Sequence, residues 1–311
     1  MMIIPKITSE EIQSFLIENG DNNFTIEEFN SNERDQLFEQ RLTSFFNEEK
    51  LKKVAVLGID IYKYSKYDLP KQNYIPFIFD YIYQNCVINM FKTQKFLFQN
   101  YQSTDINKFL ISTGDGGFQL METPLHALIF AIIFEATFRS YNSFTEFPKL
   151  RNFIGELTLR YTLTYDYVYS FNDNFYGPAI INNSRILSKD KLNRFLIDEK
   201  SYHWFLQKVN GIESLKILTL KEISNLTEFS AYDKAKLEEK NLIFSSKTKN
   251  IQPIQTINIS KLQTIEVKDT NLNIYNLHMQ LQLVRKSDEN SKILKRFVIT
   301  IGNLNPEGIS I

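Results

Sequence analysis

A single cysteine, Cys86, stands in 311 residues. No internal disulfide can form, and a cysteine-based zinc site is excluded; both fit a reducing compartment. Histidine is almost as scarce, and His126, His203 and His278 are scattered without making a constellation. His126 falls on an apolar helix face, where a packed residue is the ordinary reading. Neither sign of charge is in excess, with 36 basic and 36 acidic residues. A global basic field for nucleic acid and the acidic bias of a disordered chain are therefore both lacking. No apolar run reaches the roughly 18–20 residues needed to span a bilayer. The N-terminal stretch MMIIPKITSEEIQ turns acidic within its first ten residues, unlike a signal peptide. A soluble cytoplasmic chain is the expectation. Glycine too is sparse, ten in all, yet three of the ten fall in FLISTGDGGFQLM, at Gly114, Gly116 and Gly117.

What is present is ample for a core: 43% of the residues are hydrophobic. Residues 1–50 read as an N-terminal helical segment, with a serine N-cap, early acids and a closing glycine in SEEIQSFLIENG. KVAVLGIDI is a continuous apolar run of the buried-strand kind. YIPFIFDYIYQNCVINMFKTQKFLFQN is helical in period, and DINKFLIS and GFQLM are strands joined by the glycine turn. TPLHALIFAIIFEATFRSYNSF is a helix with a threonine N-cap and proline at its first position. LTLRYTLTYDYVYSF alternates as a half-buried strand. A short helix, YGPAIINNSRILSKDK, follows a Gly-Pro turn, and RFLIDEKSYHWFLQKV and SLKILTLKEI supply further strand and helix. The order strand, helix, strand, strand, helix, strand, helix is that of a ferredoxin-like α+β sheet. This segment, 51–223, is expected to be one domain, a central mixed sheet with flanking helices. A polar linker, 224–249, and a small β-rich C-terminal domain, 250–311, are expected to follow.

Two acids end apolar strands in this pattern. Asp60 closes KVAVLGIDI, where a carboxylate is expensive to bury without a partner, and Asp115 stands inside the glycine turn. The topology lets the first strand and the hairpin lie side by side, so the two acids can share one pocket edge. Hard divalent ions suit such a pair, with oxygen ligands and phosphate completing the shell. The three glycines would let backbone approach a phosphate closely. A plainer account stays open: Asp-Gly is an ordinary hairpin turn, and Asp60 could cap a strand end.

LGIDIYKYSKYD, then STGDGGF, then YGPAIINNSRIL: this ordered set resembles the class III nucleotidyl cyclase family over about residues 50–222. The resemblance implies that Asp60 and Asp115 hold two Mn²⁺ or Mg²⁺ ions and that Ile61 adds a backbone carbonyl. It implies that Tyr62 to Ser65 wrap a nucleoside triphosphate, with Tyr64 and Ser65 as substrate contacts. Arg185 stands at the family's transition-state arginine, although an arginine near a helix C-terminus is also favoured by the dipole alone. The family's asparagine, four residues before that arginine, falls here on Ile181; Asn182 or Asn183 beside it could take its place, and Asn182 is the candidate. In this family the site forms between two catalytic domains, so one complete motif set per chain implies a symmetric homodimer.

The departures concern the base. Where purine cyclases carry a Lys or Glu that reads it, this chain has Ile111, and its partner position has Asn174 in place of Asp or Cys. An apolar side chain cannot replace a hydrogen-bonding one without changing which base edge is satisfied. These departures are similar to the Pycsar pyrimidine cyclases. By that resemblance the substrate is UTP, or next CTP, the product is a cyclic pyrimidine nucleotide read by a separate effector in bacterial anti-phage defence, and the C-terminal segment is sensor-like. Tyr64 would narrow the base pocket, although Tyr62, Tyr64 and Tyr67 could equally be core packing. A purine cyclase with an atypical base pocket, or a catalytically degenerate nucleotide-binding or dimerisation module, are the alternatives.

Overall fold

The computed structural model of the protein describes residues 14, 50–237, 254–267, 270–286 and 294–307. The helical segment expected over 1–50 and the second half of the expected linker lie outside the described residues.

The chain folds as an α+β protein. Strand β1 (Leu51–Ile61) leads through a 3-10 turn, Tyr64–Lys66, into the long helix α1 (Leu69–Thr93). Asp68 caps α1 by accepting the Lys71 amide, the arrangement that relieves an orphan N–H of the first turn. Strands β2 (Leu110–Ser112) and β3 (Gly116–Met121) form the glycine hairpin. Helices α2 (Pro124–Asn142) and α3 (Pro148–Ile154) follow, then β4 (Leu159–Phe171), β5 (Asn174–Tyr176), α4 (Pro178–Lys189), β6 (Phe195–Asp198) and α5 (Glu199–Val209). The short helix α6 (Leu220–Ile223) precedes β7 (Ile254–Val267), β8 (Thr270–Lys286) and β9 (Leu294–Ile301).

One sheet takes the order β2-β3-β1-β4-β6-β8-β7, with β5 paired to β4 and β9 to β8. It is mixed: β4 and β6 run parallel, while β1 and β3, and β6 and β8, run antiparallel. The alternation of β1 sorts its side chains. Ala55, Leu57, Ile59 and Ile61 face the main core with residues of α1, α2 and α5, whereas Val56 packs on the other side with Leu120, Val168 and Ala179 of α4. Asp60 belongs to this second set by parity.

Four expectations differ in detail. The strand expected from Asp105 begins only at Leu110, because Ile106–Phe109 wind into a 3-10 turn that buries Ile106. β4 is covered on both faces in its middle: Thr162 and Thr164, at the polar positions of the alternation, are fully buried where α4 packs against the strand. The β-rich C-terminal segment joins the main sheet, since β8 pairs with β6 from Phe195↔Leu277 to Asp198↔Ile274. Leu277, Met279 and Leu281 are buried in the same core as β1 and α2. The front of the expected linker is packed as well, with Phe229 and Tyr232 in that core.

Candidate active site

The register of β1 and β3 brings the two acids together. Asp60 lies opposite Gly116, the residue after Asp115, and the Ile61 amide donates to the Asp115 carbonyl at 3.1 Å. Gly116 is required by this fit: a Cβ there would meet the Ile59 carbonyl oxygen at 2.1 Å. The glycine expected to admit a phosphate therefore first admits a neighbouring strand.

Around the acids is a cavity of about 340 Å³ lined by Asp60, Ile61, Tyr62, Lys63, Tyr64, Ser65, Lys66, Asp115, Arg160 and Lys191. Five of the residues singled out from sequence, Asp60, Ile61, Tyr64, Ser65 and Asp115, thus share one wall system. Lys63 holds a left-handed backbone at φ 62°, an uncommon conformation for a residue with a side chain, and its ammonium lies 4.6 Å from the Tyr62 ring centre. The Tyr64 hydroxyl donates to the Gln72 carbonyl of α1 at 3.2 Å, and its ring packs against the main core.

Sequence reasoning missed Arg160. Its Nε donates to Asp60 Oδ2 at 2.5 Å, and its Nη1 donates to the carbonyls of Leu187 and Asp190 at 3.1 and 2.7 Å. The only sequence signal was an arginine at an outward position of β4. Burial raises the Asp60 pKa, Arg160 opposes that rise, and Asp115 adds to it. Asp115 is raised too, first by burial, against its own backbone amide and Arg160. Desolvated carboxylates of like sign hold protons, or a cation, more readily than free ones. The donor set fits a hard divalent ion: two carboxylates and the Ile61 carbonyl, all oxygen. Among the described residues there is no cluster of three or more His, Cys, Asp and Glu side chains, so any such ion would rest on this pair, the backbone and phosphate oxygens.

The remaining candidates do not line the cavity. Asn182 and Arg185 lie on α4, with Arg185 Nη1 3.5 Å from Asn182 Oδ1, and Ile181 beside them is exposed. Asn183 is a different residue altogether. It is fully buried, and its amide donates to the carbonyls of Val56 and Thr162 and to Thr164 Oγ1. It locks α4 onto the sheet at Gly58, where a Cβ would lie 2.2 Å from Asn183 Oδ1. Ile111 packs with Val56, Leu120, Phe118 and Phe175. Asn174 is exposed at the start of β5, its amide donating to the Asn172 carbonyl. The rings of Phe109, just before β2, and Phe175 of β5 meet at 6.0 Å.

Among the described residues, no helix is long and apolar enough to cross a membrane. No family model matches the chain, and no curated protein does. Solved structures do. The catalytic core of a rhodopsin-guanylyl cyclase with converted specificity, in complex with ATPαS, is 12% identical; the match covers 73% of this chain and 94% of that one, with a TM-score of 0.42. The adenylyl cyclase CyaB from P. aeruginosa is 11% identical over 73% and 94% of the two chains, with a TM-score of 0.39. An adenylate/guanylate cyclase/hydrolase from Silicibacter pomeroyi is 11% identical over 73% and 96%, also with a TM-score of 0.39. The chain is thus similar to solved cyclase catalytic domains.

Proposed function

We propose that the protein is a nucleotide cyclase acting on a pyrimidine nucleoside triphosphate, UTP before CTP. The observation that carries this is the cavity lined by Asp60, Ile61 and Asp115 together with four basic residues, Lys63, Lys66, Arg160 and Lys191. Oxygen donors for divalent cations beside cations for phosphate are what an intramolecular phosphoryl transfer requires. In the reaction the 3′-hydroxyl of the nucleotide attacks its own α-phosphorus, the bond to the β-phosphate oxygen breaks, and pyrophosphate leaves. Bound Mn²⁺ or Mg²⁺, two per site, would supply charge neutralisation and a lowered hydroxyl pKa.

The chain's own residues do the rest. Asp60, Asp115 and Ile61 hold the ions. Lys63, Lys66, Lys191 and Arg160 face the triphosphate, and the turn from Tyr62 to Ser65 wraps it. Arg185 and Asn182 lie outside this cavity on the α4 surface, so a second copy of the chain would bring them to the α-phosphate, where a guanidinium stabilises charge developing at phosphorus. The homodimer is thereby part of the proposal. Ile111 supports a pyrimidine, because its side chain offers no hydrogen-bonding atom to a base edge. Asn174, next to Phe175 on β5, would be the polar contact, and Tyr64 would narrow the pocket. A second messenger read by a separate effector in anti-phage defence follows from the same assignment.

Incubation of purified protein with each of the four nucleoside triphosphates and Mn²⁺, with products identified by mass, tests this. Cyclic UMP or cyclic CMP is expected, and Asp60→Ala should abolish it. Cyclic AMP or cyclic GMP as the main product would overturn the pyrimidine assignment in favour of a purine cyclase. No product from the intact chain would favour the degenerate module, for which the exposed Ile181 at the asparagine position speaks.

A further inference from the structure

The polar groups that hold Asp60 do not end at Arg160. The Asp190 carbonyl that receives Arg160 belongs to the residue closing α4, and the carboxylate of the same residue is buried. Its Oδ1 accepts from Arg194 Nε at 2.9 Å, Arg194 Nη2 at 2.5 Å and the Leu192 amide at 3.1 Å. Arg194 is fully buried, and its Nη1 donates to the carbonyls of Asn305 and Glu307 at 3.1 and 2.6 Å. The tail that offers these carbonyls is itself pinned. Asn303 donates to Asn193 Oδ1 at 3.1 Å, and its carbonyl accepts from Asn276 at 2.7 Å. The loop between is tied to the cavity from the other side too, by the Tyr62 hydroxyl donating to the Lys191 carbonyl at 2.6 Å.

We propose that the tail carbonyls of Asn305 and Glu307, with Arg194 and Asp190, form a positioning relay that fixes Arg160 against Asp60 without touching substrate. Its expected effect on Mn²⁺ affinity and turnover rests on the proposed function, in which Asp60 is a metal-holding acid. Its physical basis is the cost of an unsatisfied buried guanidinium. All three nitrogens of Arg194 are bonded, and losing the tail carbonyls strands Nη1 in a site closed to water. Arg194 must then turn, and Asp190 is the group it holds. Because the side chain and the carbonyl of Asp190 share one residue, a shift at Oδ1 moves the acceptor of Arg160, and Arg160 has a fixed planar fork. A carboxylate that binds a metal is oriented by such outer partners. The segment from Asn303 to Glu307 is by this route coupled to the cavity without lining it.

The test uses full-length Arg194→Lys, Arg160→Lys and the double variant. A lysine at 194 keeps the charge, but its single nitrogen cannot span Asp190 and both tail carbonyls. Mn²⁺ affinity by electron paramagnetic resonance, kcat and KM for the Mn²⁺-nucleotide, amide hydrogen exchange at Ile61 and Tyr62, and the unfolding midpoint are measured together. Arg194→Lys should stay folded, bind Mn²⁺ about 10–100-fold more weakly, lose kcat more than KM, and exchange faster at Ile61. The double variant should be no worse than Arg160→Lys alone. Unchanged Mn²⁺ affinity and unchanged exchange in a folded Arg194→Lys, or independent multiplicative losses in the double, would overturn the relay. If Arg194→Lys fails to fold, Asp190→Asn keeps the carbonyl used by Arg160 while loosening Arg194, and the same outcomes decide. Should the wild-type chain bind no Mn²⁺ or make no cyclic nucleotide, the proposed function falls alone, and exchange at Ile61 still decides the relay.

Discussion

His126 shows what a single buried side chain dictates. It is fully buried, and its Nε2 lies 2.8 Å from the Leu97 carbonyl, which can only accept. Nε2 therefore carries the proton, and Nδ1 accepts from the Thr123 hydroxyl at 2.9 Å. Burial depresses its pKa from 6.5 to about 4. The folded protein then binds fewer protons than the unfolded chain between these values, so this group's contribution is present above pH 6.5 and is lost as pH falls toward 4. At 1.36 kcal/mol per unit the loss is about 3 kcal/mol. Urea unfolding at pH 7 and pH 4.5 should show it, and His126→Gln should flatten the difference. Its apolar surroundings were legible from sequence as packing. Arg160 was not legible, because a strand arginine at an outward position looks solvated, and its partner Asp60 is 100 positions away.

At the scale of elements, the glycine hairpin was readable in kind, and the structure adds a reason for one of its glycines. Its turn and its second strand are where the pattern placed them, and Gly116 serves the close approach of β1. Gly116→Ala should destabilise by about 1–3 kcal/mol through overpacking against backbone. Gly114→Ala meets nothing within 4 Å and strains only its φ of +95°, so it should cost less; denaturant midpoints of the two variants make the comparison. The helix α4 was also readable as a helix behind Gly-Pro. What its two asparagines do was not, because adjacent helical positions point about 100° apart: Asn182 faces outward with Arg185, and Asn183 faces the sheet. The small Gly58 opposite was the available signal, visible only once β1 and α4 were known to cross. The early part of the expected strand before the hairpin was lost to a 3-10 turn that buries Ile106, a choice made by the core and not by local propensity.

For the whole molecule, the polar stretch after Ile223 marked a change of composition without marking a break in the sheet. Alternation identified β8, but nothing local reveals which strand it will pair with, and it pairs with β6. A chain ended at residue 249 should therefore fail to fold. It would bare the β6 edge and remove Leu277, Met279 and Leu281 from the interior. Expression of that shortened chain, followed by size-exclusion chromatography, should yield aggregate, whereas a separable C-terminal domain would leave a cooperatively unfolding monomer or dimer.

The same pairing sets a schedule for synthesis. Phe195 meets Leu277 across the β6–β8 ladder, and at ~5–20 residues per second a ribosome needs about 4–16 s to deliver the partner strand. Through that interval Phe195, Leu196 and Ile197, all fully buried in the finished fold, remain at an open edge with unpaired backbone groups. For those seconds the nascent chain bares the kind of edge that chaperones bind, and its yield should depend on how fast the codons between Phe195 and Leu277 are read.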